Sequence, residues 1–176
     1  PISQVLEYEK TFDPFVLLSK KRYVGMLYET NPDKGKLKSM GIVLKRRDNA
    51  PIVKVIYGEI IDIIMSQKKI KPAVNYFRRA IRNLVNGKFN LDTLIISKSL
   101  SAYYKDPDRI AHKVLADRIA ARDPGNKPQV GTRIPFIYIE KDKKLVKLQG
   151  DRIETPDFIR ENGLKPDYEF YITNQI

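Results

Sequence analysis

The sequence of 176 residues has no cysteine and a single histidine, His112. The lack of thiols excludes disulfides and thiolate metal sites, and one imidazole is too few for a His-rich zinc site. The sequence also has no tryptophan and no uninterrupted run of about 18 apolar residues, which a membrane-spanning helix would need. Its first residues have neither the basic start nor the apolar stretch of a secretory signal. We therefore expect an intracellular protein that is not secreted and does not bind a membrane.

Positive charge is in excess and is unevenly distributed. The formal net charge is +12, from 33 Lys and Arg residues against 21 Asp and Glu residues. Residues 20–47 carry nine cations and two acids, and residues 68–88 carry seven cations and no acid, whereas residues 151–176 carry six acids and three cations. Clustering of this kind indicates a surface that faces a polyanion, and nucleic acid is the most common intracellular one. A basic protein that is merely well solvated is the alternative.

A β-hairpin is predicted near the start of the chain. Two apolar runs, at residues 15–18 and 23–28, indicate strands that are each buried on both faces. Strand alternation would then place Lys20 and Arg22 on one side of the chain and the residue after each of them on the other. The basic segment would therefore have two exposed faces.

The remainder of the chain is predicted to be mostly helical, which makes the whole an α+β protein. The turn-forming residues 31–35, NPDKG, indicate a boundary between residues 1–33 and residues 34–176. A short buried strand or an apolar insert is predicted at residues 94–98, and a second small hairpin at residues 134–140 and 144–148. Helices are predicted at residues 51–67, 72–86 (with Phe77 facing inward), 107–121 and 156–161, and an unfinished element from Tyr168 onward.

No residue pattern predicts an active site within this chain. His112 is the single histidine, so a Ser-His-acid triad has one possible base, and neither a Gly-x-x-x-x-Gly-Lys phosphate loop nor a cysteine nucleophile is present. His112 is interpreted as a surface or packing residue. Asp106 and Asp108 form a close acidic pair that helix capping explains better than metal binding. The residues alone thus indicate a basic protein that binds nucleic acid mainly through phosphates.

Four sequence blocks resemble family B DNA polymerases. Residues 9–25, EKTFDPFVLLSKKRYVG, resemble the segment after the last catalytic carboxylate motif, and Lys20-Lys21-Arg22-Tyr23 matches the family's Lys-Lys-Arg-Tyr motif. Residues 40–51 (MGIVLKRRDNAP), 95–100 (IISKSL) and 111–118 (AHKVLADR, continuing to RDPG and GTRIPF) follow in family order. The chain is most similar to replicative polymerases of the delta type, in the version carried by large DNA viruses.

The resemblance implies a place for this chain within a longer enzyme. Residues 1–33 would be the C-terminal part of the palm, and residues 34–176 most of the thumb, with the last element truncated. In the family, the Lys-Lys-Arg-Tyr motif lies along newly made primer–template duplex, and the thumb holds the duplex behind the growing end. The DNA-binding residues that this implies are Lys20, Lys21, Arg22, Tyr23, Arg46, Arg47, Lys98, Arg118, Arg122 and Arg133.

Structural roles compete with DNA contact at several of these positions. Arg46 and Arg47 are equally compatible with an ion-paired corner beside Asp48. Arg118 and Arg122 lie four residues apart on one helical face, so ion pairs with Asp117 or Asp123 are an alternative for them.

The family's metal-binding carboxylate motifs, including its Asp-Thr-Asp, are absent from this sequence, as are its nucleotide-binding fingers. We therefore expect no catalytic residue, metal or cofactor in this segment, which would not polymerise alone, and two Mg²⁺ ions in the parent enzyme. The expected partners are primer–template DNA, the rest of the polymerase chain with its palm, fingers and exonuclease domain, and a sliding clamp, at the site of replication in a nucleus or viral factory. A non-catalytic nucleic-acid-binding module and one chain of a split polymerase are the alternatives.

Overall fold

The computed structural model describes Val5 and residues 7–29, 31–42 and 49–176, apart from the side chain of Lys143. Within these ranges the chain forms two three-stranded antiparallel sheets and five α-helices. The predicted α+β class is therefore confirmed.

The first sheet contains β1 (Thr11–Ser19), β2 (Arg22–Tyr28) and β3 (Lys36–Met40) in chain order. The first two strands form the predicted hairpin, whereas β3 was not predicted because its sequence, KLKSM, has no apolar run. Asn31 starts the turn before β3, since its side chain accepts a hydrogen bond from the Asp33 N–H and its carbonyl accepts one from the Lys34 N–H. The sheet thus continues past residues 33–34, and the domain division there stays a prediction.

The prediction that both hairpin strands are buried on two faces is wrong. Val24 of β2 is buried against Ile61 and Met65 of the first helix, but β1 is an edge strand on which Leu17 and Leu18 are 65% and 64% exposed. In the described residues a helix covers one face of this sheet only. An apolar run indicates what a segment can bury, and it does not indicate which partner will cover it.

Two long helices follow the first sheet. They are α1 (Pro51–Gln67), as predicted, and α2 (Ile70–Val85), joined through Lys68 in the left-handed conformation with φ 52°. The helix α2 begins two residues before Pro72, which is tolerated because the first N–H groups of a helix have no intrahelical acceptor. Phe77 is exposed rather than inward, and Tyr76 packs against the core in its place.

The second sheet contains β4 (Ile96–Ser99), β5 (Arg133–Tyr138) and β6 (Ile153–Glu154) in that order. β4 confirms the predicted short strand, but the prediction of a second hairpin arm at residues 144–148 is wrong because the strand that pairs with β5 after the turn is β6. The Asp151 carboxylate accepts hydrogen bonds from the N–H groups of Lys147 and Leu148, so these amides need no strand partner. Those two bonds lower the pKa of Asp151.

Three shorter helices complete the fold: α3 (Ala111–Arg122), α4 (Pro156–Asn162) and α5 (Tyr168–Asn174). The predicted start of the third helix at Pro107 is wrong, because a short 3-10 turn there ends at Ile110, whose backbone is extended. The helix α4 lies where it was predicted. None of the helices in the described ranges is long and apolar enough to cross a bilayer.

The main core lies between the helices and the second sheet, and Tyr171 is at its centre. Its side chain is fully buried, and its hydroxyl donates a hydrogen bond to the Leu94 carbonyl at 2.7 Å and accepts one from the Tyr138 N–H at 3.1 Å. Burial raises the pKa of Tyr171 far above its usual range. These bonds connect α5 to β5 and to the turn before β4, so the second sheet is held firmly in place.

Candidate nucleic-acid interface

Lys20 and Lys21 are the two central residues of the turn between β1 and β2. Ser19 pairs with Arg22 across this turn, and Lys21 has a positive φ of 64°. The prediction of strand alternation through the basic segment is therefore wrong, because the chain reverses within it. Lys20, Lys21 and Arg22, here called the hairpin tip, instead project together from one end of the hairpin and are all exposed.

Gly41, the residue after β3, supports the hairpin tip. It has a positive φ of 63°, and a Cβ atom at this position would lie 2.3 Å from the Lys21 carbonyl oxygen and 3.0 Å from Cγ of Arg22. A backbone oxygen cannot move out of the way as the end of a flexible side chain can. Only glycine fits both the dihedral angle and the space, so the close approach of Gly41 fixes the conformation of the turn.

An aromatic cluster forms the base of the hairpin tip. The ring of the half-buried Tyr23 is 5.9 Å from that of Phe12 and 5.5 Å from that of Phe15, and the two phenylalanine rings are 5.3 Å apart. Tilted and edge-on contacts of this kind stabilise the strands just behind the turn. Among the described residues, no acid forms a salt bridge with Lys20, Lys21 or Arg22.

Arg118 and Arg122 have a different environment, because both approach Glu154 in what we call the Glu154 cluster. Glu154 is 4% exposed, and Arg122 donates two hydrogen bonds to it, at 2.8 and 3.0 Å. Arg118 donates to the carbonyls of Gly150 and Ile153 at 2.9 and 2.7 Å, with its Nε 3.7 Å from the Glu154 carboxylate. These hydrogen bonds to Glu154 raise the pKa of Arg122. Both guanidinium groups therefore connect α3 to β6.

Arg122 also stacks on an aromatic ring, since its guanidinium carbon is 3.8 Å from the centre of the Phe158 ring in α4. The ion pairs that the sequence suggested, with Asp117 or Asp123, are replaced by the one with Glu154, and Asp117 pairs with Lys113 instead. The structural alternative for these two arginines thus has direct support in the geometry, and their contact with DNA stays a prediction.

Lys98 and Arg133 lie on paired strands of the second sheet and are both exposed. Arg133 donates hydrogen bonds to Oγ and the carbonyl of Ser97, at 3.2 and 2.6 Å, across the strand pair. Its remaining surface and the Lys98 ammonium face solvent. Arg46 and Arg47 lie outside the described residues.

His112 stabilises the loop after β4. Its Nε2 is 3.1 Å from the Tyr104 hydroxyl, and that hydroxyl accepts a hydrogen bond from the Ser101 N–H at 2.7 Å. Burial lowers the pKa of His112, and the nearby Lys98 charge lowers it further. His112 is therefore a packing residue next to a predicted DNA-binding lysine.

Gly41 and Glu154 position side chains of this interface and were not identified from the sequence. Gly41 lies in the resembling block of residues 40–51, yet nothing local shows that it contacts a turn twenty residues earlier. Glu154 meets partners 32 and 36 residues away in sequence. Within the described parts of the chain, no group of three or more His, Asp or Glu side chains could hold a metal ion.

Comparison with known proteins places this chain among polymerases. Residues 2–176 match the family described as DNA polymerase family B. The chain is 60% identical over 172 residues to a DNA polymerase of Pyramimonas orientalis virus, covering 97% of this chain and 14% of that protein. It is 56% identical over 180 residues to a DNA polymerase of Acanthamoeba polyphaga mimivirus, covering 100% and 10%.

A more distant sequence relative belongs to the same family, and a solved structure has a similar fold. The DNA polymerase delta catalytic subunit of Caenorhabditis elegans is 35% identical over 176 residues, covering 97% of this chain and 16% of that protein. The fold matches the family B DNA polymerase from the hyperthermophilic archaeon Pyrobaculum calidifontis with a TM-score of 0.68 and 24% identity, covering 92% of this chain and 20% of that one. The chain thus spans between 10% and 16% of the length of these curated relatives.

Proposed function

The chain belongs to DNA polymerase family B, and we propose that it is the part of a DNA-directed DNA polymerase that holds the primer–template duplex. Residues 1–33 are then the end of the palm and residues 34–176 most of the thumb. The nucleotidyl transfer takes place on carboxylates and Mg²⁺ ions carried by other parts of the enzyme. The family membership supports the reaction, and the geometry of the hairpin tip supports the binding role.

The main support for this proposal is that the three exposed cations of the hairpin tip lie on a rigid part of the first sheet. Gly41 fixes the backbone of the turn, and the aromatic cluster around Tyr23 stabilises the strands behind it. A preorganised charged group loses less conformational freedom when it binds than a mobile one does. The hairpin tip is therefore suited to contact a duplex whose position must be held to within a fraction of a base pair.

Minor-groove contact at the hairpin tip would suit an enzyme that copies any sequence. The acceptors in that groove, purine N3 and pyrimidine O2, have nearly the same positions in all correct base pairs. A lysine there can detect the shape of a pair without reading its identity. Phosphate contacts from Lys98 and Arg133 would add affinity that is equally independent of sequence and falls with salt.

The partners and location follow from the same proposal. Primer–template DNA is the ligand, the remaining palm, the fingers and the exonuclease domain of the same chain surround this segment, and a sliding clamp tethers the enzyme. The enzyme then works inside the cell, in a nucleus or a viral factory. The isolated segment binds duplex DNA weakly and does not extend a primer.

The experiment compares two exposed lysines in the full-length protein that carries this segment. Lys21→Ala removes a hairpin-tip cation, and Lys69→Ala, before α2, is the matched control. We expect Lys21→Ala to weaken primer–template binding about tenfold, and Lys69→Ala to change it less than about twofold. Fluorescence anisotropy with a labelled duplex gives both affinities, and single-nucleotide extension shows whether bound DNA is still used.

Equal losses in the two variants would show that bulk charge, and not the hairpin tip, determines binding. Titration with salt adds a second readout, since each lost phosphate contact lowers the slope of log affinity against log salt by about 0.9. Primer extension by residues 1–176 alone would contradict the proposal that the chemistry lies elsewhere. Tight binding of this segment to one DNA sequence at physiological salt would contradict the sequence-independent contacts.

A further inference from the structure

One side of α2 carries a continuous apolar stripe that faces solvent. At 100° per residue, its members fall within one narrow arc of the helix, beside the arc of the buried Ala73, Ala80 and Leu84. Exposure within the stripe reaches 72% at Ile70 and 52% at Val85. The members of this α2 stripe are Ile70, Val74, Phe77, Ile81 and Val85.

A row of cations borders the α2 stripe on the side away from the core. Lys71, Arg78 and Arg82, here called the basic flank, are exposed and fall in the adjoining arc of the helix. Residues 68–88 contain no acid, and none of these three cations forms a salt bridge with an acid of the described residues. Apolar side chains and unneutralised positive charge thus lie side by side along about 24 Å of helix.

The α2 stripe ends in a groove. Val85 lines a cavity of about 940 Å³ together with Val146 and Ile172, and charged side chains of both signs line the rest of it. The apolar surface is therefore confined to the α2 stripe and a few neighbouring side chains.

We propose that this side of α2 docks an acidic amphipathic α-helix from a partner protein. The apolar face of such a helix covers the α2 stripe, and its acidic edge pairs with the basic flank. Such a partner would contact both the apolar α2 stripe and the basic flank. Because few side chains are involved, the contact is small and its affinity lies in the micromolar range typical of transient interfaces, a Kd of about 1–100 µM.

Other occupants fit the surface less well. A nucleic-acid backbone would pair with the basic flank but would leave Val74 and Phe77 against phosphate. A second copy of this chain would present another α2, and residues 68–88 contain no acid that could pair with the basic flank. An anionic membrane requires the apolar side chains to insert, yet Val74 and Phe77 are only 39% and 37% exposed and α2 is held by its buried face to the core.

The test measures binding of a fluorescent synthetic peptide to the full-length protein that carries this segment. The peptide has about five helical turns, with leucine on one face and glutamate along the edges. Arg82→Glu in the basic flank is matched with Arg79→Glu, an exposed arginine of the same helix that lies about 160° around the axis from the centre of the α2 stripe. Val74→Ser in the stripe is matched with Val55→Ser, a valine of α1 that is 46% exposed.

We expect Arg82→Glu to weaken peptide binding about tenfold and Val74→Ser about threefold, while each control changes it less than about twofold. Circular dichroism confirms that all four variants fold. Equal losses from Arg79→Glu and Arg82→Glu would overturn the proposal, because only total charge would then matter. Retention of binding in Val74→Ser, with displacement by duplex DNA, would overturn it in favour of a polyanion site.

Two further results would also reject the docking of a partner helix. Loss of binding to phosphatidylserine vesicles in the Val74→Ser and Arg82→Glu variants, with no peptide binding in the wild type, would assign the face to a membrane. Absence of peptide binding up to about 100 µM would show that another part of the long chain covers the face or that it binds nothing.

Discussion

In the Glu154 cluster, Arg122 meets a carboxylate that is 4% exposed, whereas the hairpin tip holds three cations in solvent with no salt bridge to an acid of the described residues. Both regions look alike in sequence, as basic residues beside apolar ones. The two regions differ in whether the folded chain brings an acidic side chain close to the cations. Cations of the first region stabilise the fold, and those of the second are available to bind a ligand.

The largest expected effect comes from breaking the Glu154 cluster. Glu154→Ala would leave Arg118 and Arg122 without their shared carboxylate and lower the free energy of unfolding by about 3 kcal/mol, at the low end for a buried pair because Arg122 keeps 39% of its side chain in solvent. Urea denaturation measures this loss. Glu161→Gln, an exposed acid of α4, is the control and should cost less than about 0.5 kcal/mol. Similar values for the two variants would show that the cluster is no more than a surface pair.

The hairpin tip can be disturbed without removing any of its charges. Gly41→Ala would place a methyl group against the Lys21 carbonyl oxygen in a left-handed backbone, at a cost of about 2 kcal/mol. Amide hydrogen exchange of residues 19–23 should accelerate, and affinity for duplex DNA should fall.

Gly131→Ala is the matched control for the hairpin tip. Gly131 also has a positive φ, of 85°, but no atom lies within 4 Å of a Cβ added there. Gly131→Ala should therefore cost about 1 kcal/mol of stability, from the left-handed backbone and not from a steric clash. Unchanged exchange at the hairpin tip in Gly41→Ala would mean that Gly41 does not hold the turn.

Exchanging arginine and lysine, which keeps the charge but changes the hydrogen-bond geometry, should have a smaller effect on stability in the two regions. Arg122→Lys keeps the positive charge but loses the paired hydrogen bonds to Glu154 and the stacking on Phe158, which should cost about 1 kcal/mol of stability. At the hairpin tip, Lys20→Arg should change stability by less than about 0.5 kcal/mol. Thermal denaturation compares the two, and the distinction fails if both substitutions are neutral.

The smallest effect concerns pH in the helical region. Burial lowers the pKa of His112 in the folded state, so the unfolded chain binds the proton more readily. The stability that neutral His112 contributes is complete above the unfolded pKa, about 6.5, and is lost as the pH falls below it toward the lowered folded value. We expect a small loss over this window, absent in His112→Gln. An identical pH profile for the variant would assign the loss to another group.

Local sequence predicted several elements well, and its errors have physical causes. The helix α1 follows from the residues that recur every four positions as a polar stripe, Lys54, Gly58, Asp62 and Ser66, and the turn at Asn31 follows from its own side chain. The second hairpin arm was predicted wrongly, because Asp151 binds the amides that a strand would have paired. The family motif is visible in the sequence, but its strand alternation was predicted wrongly because Lys20 and Lys21 form the turn of the hairpin.

The sequence by itself determined the family, the α+β class and the basic character of this protein, because residue types and short-range spacing are written along the chain. Only the tertiary structure decided which cations remain exposed. Glu154 reaches Arg122 across 32 residues and Gly41 reaches the Lys21 carbonyl across twenty, and neither contact leaves a periodic trace in the sequence. Contacts between residues far apart in sequence depend on how the whole chain packs, so the role of each charged residue depends on the tertiary structure.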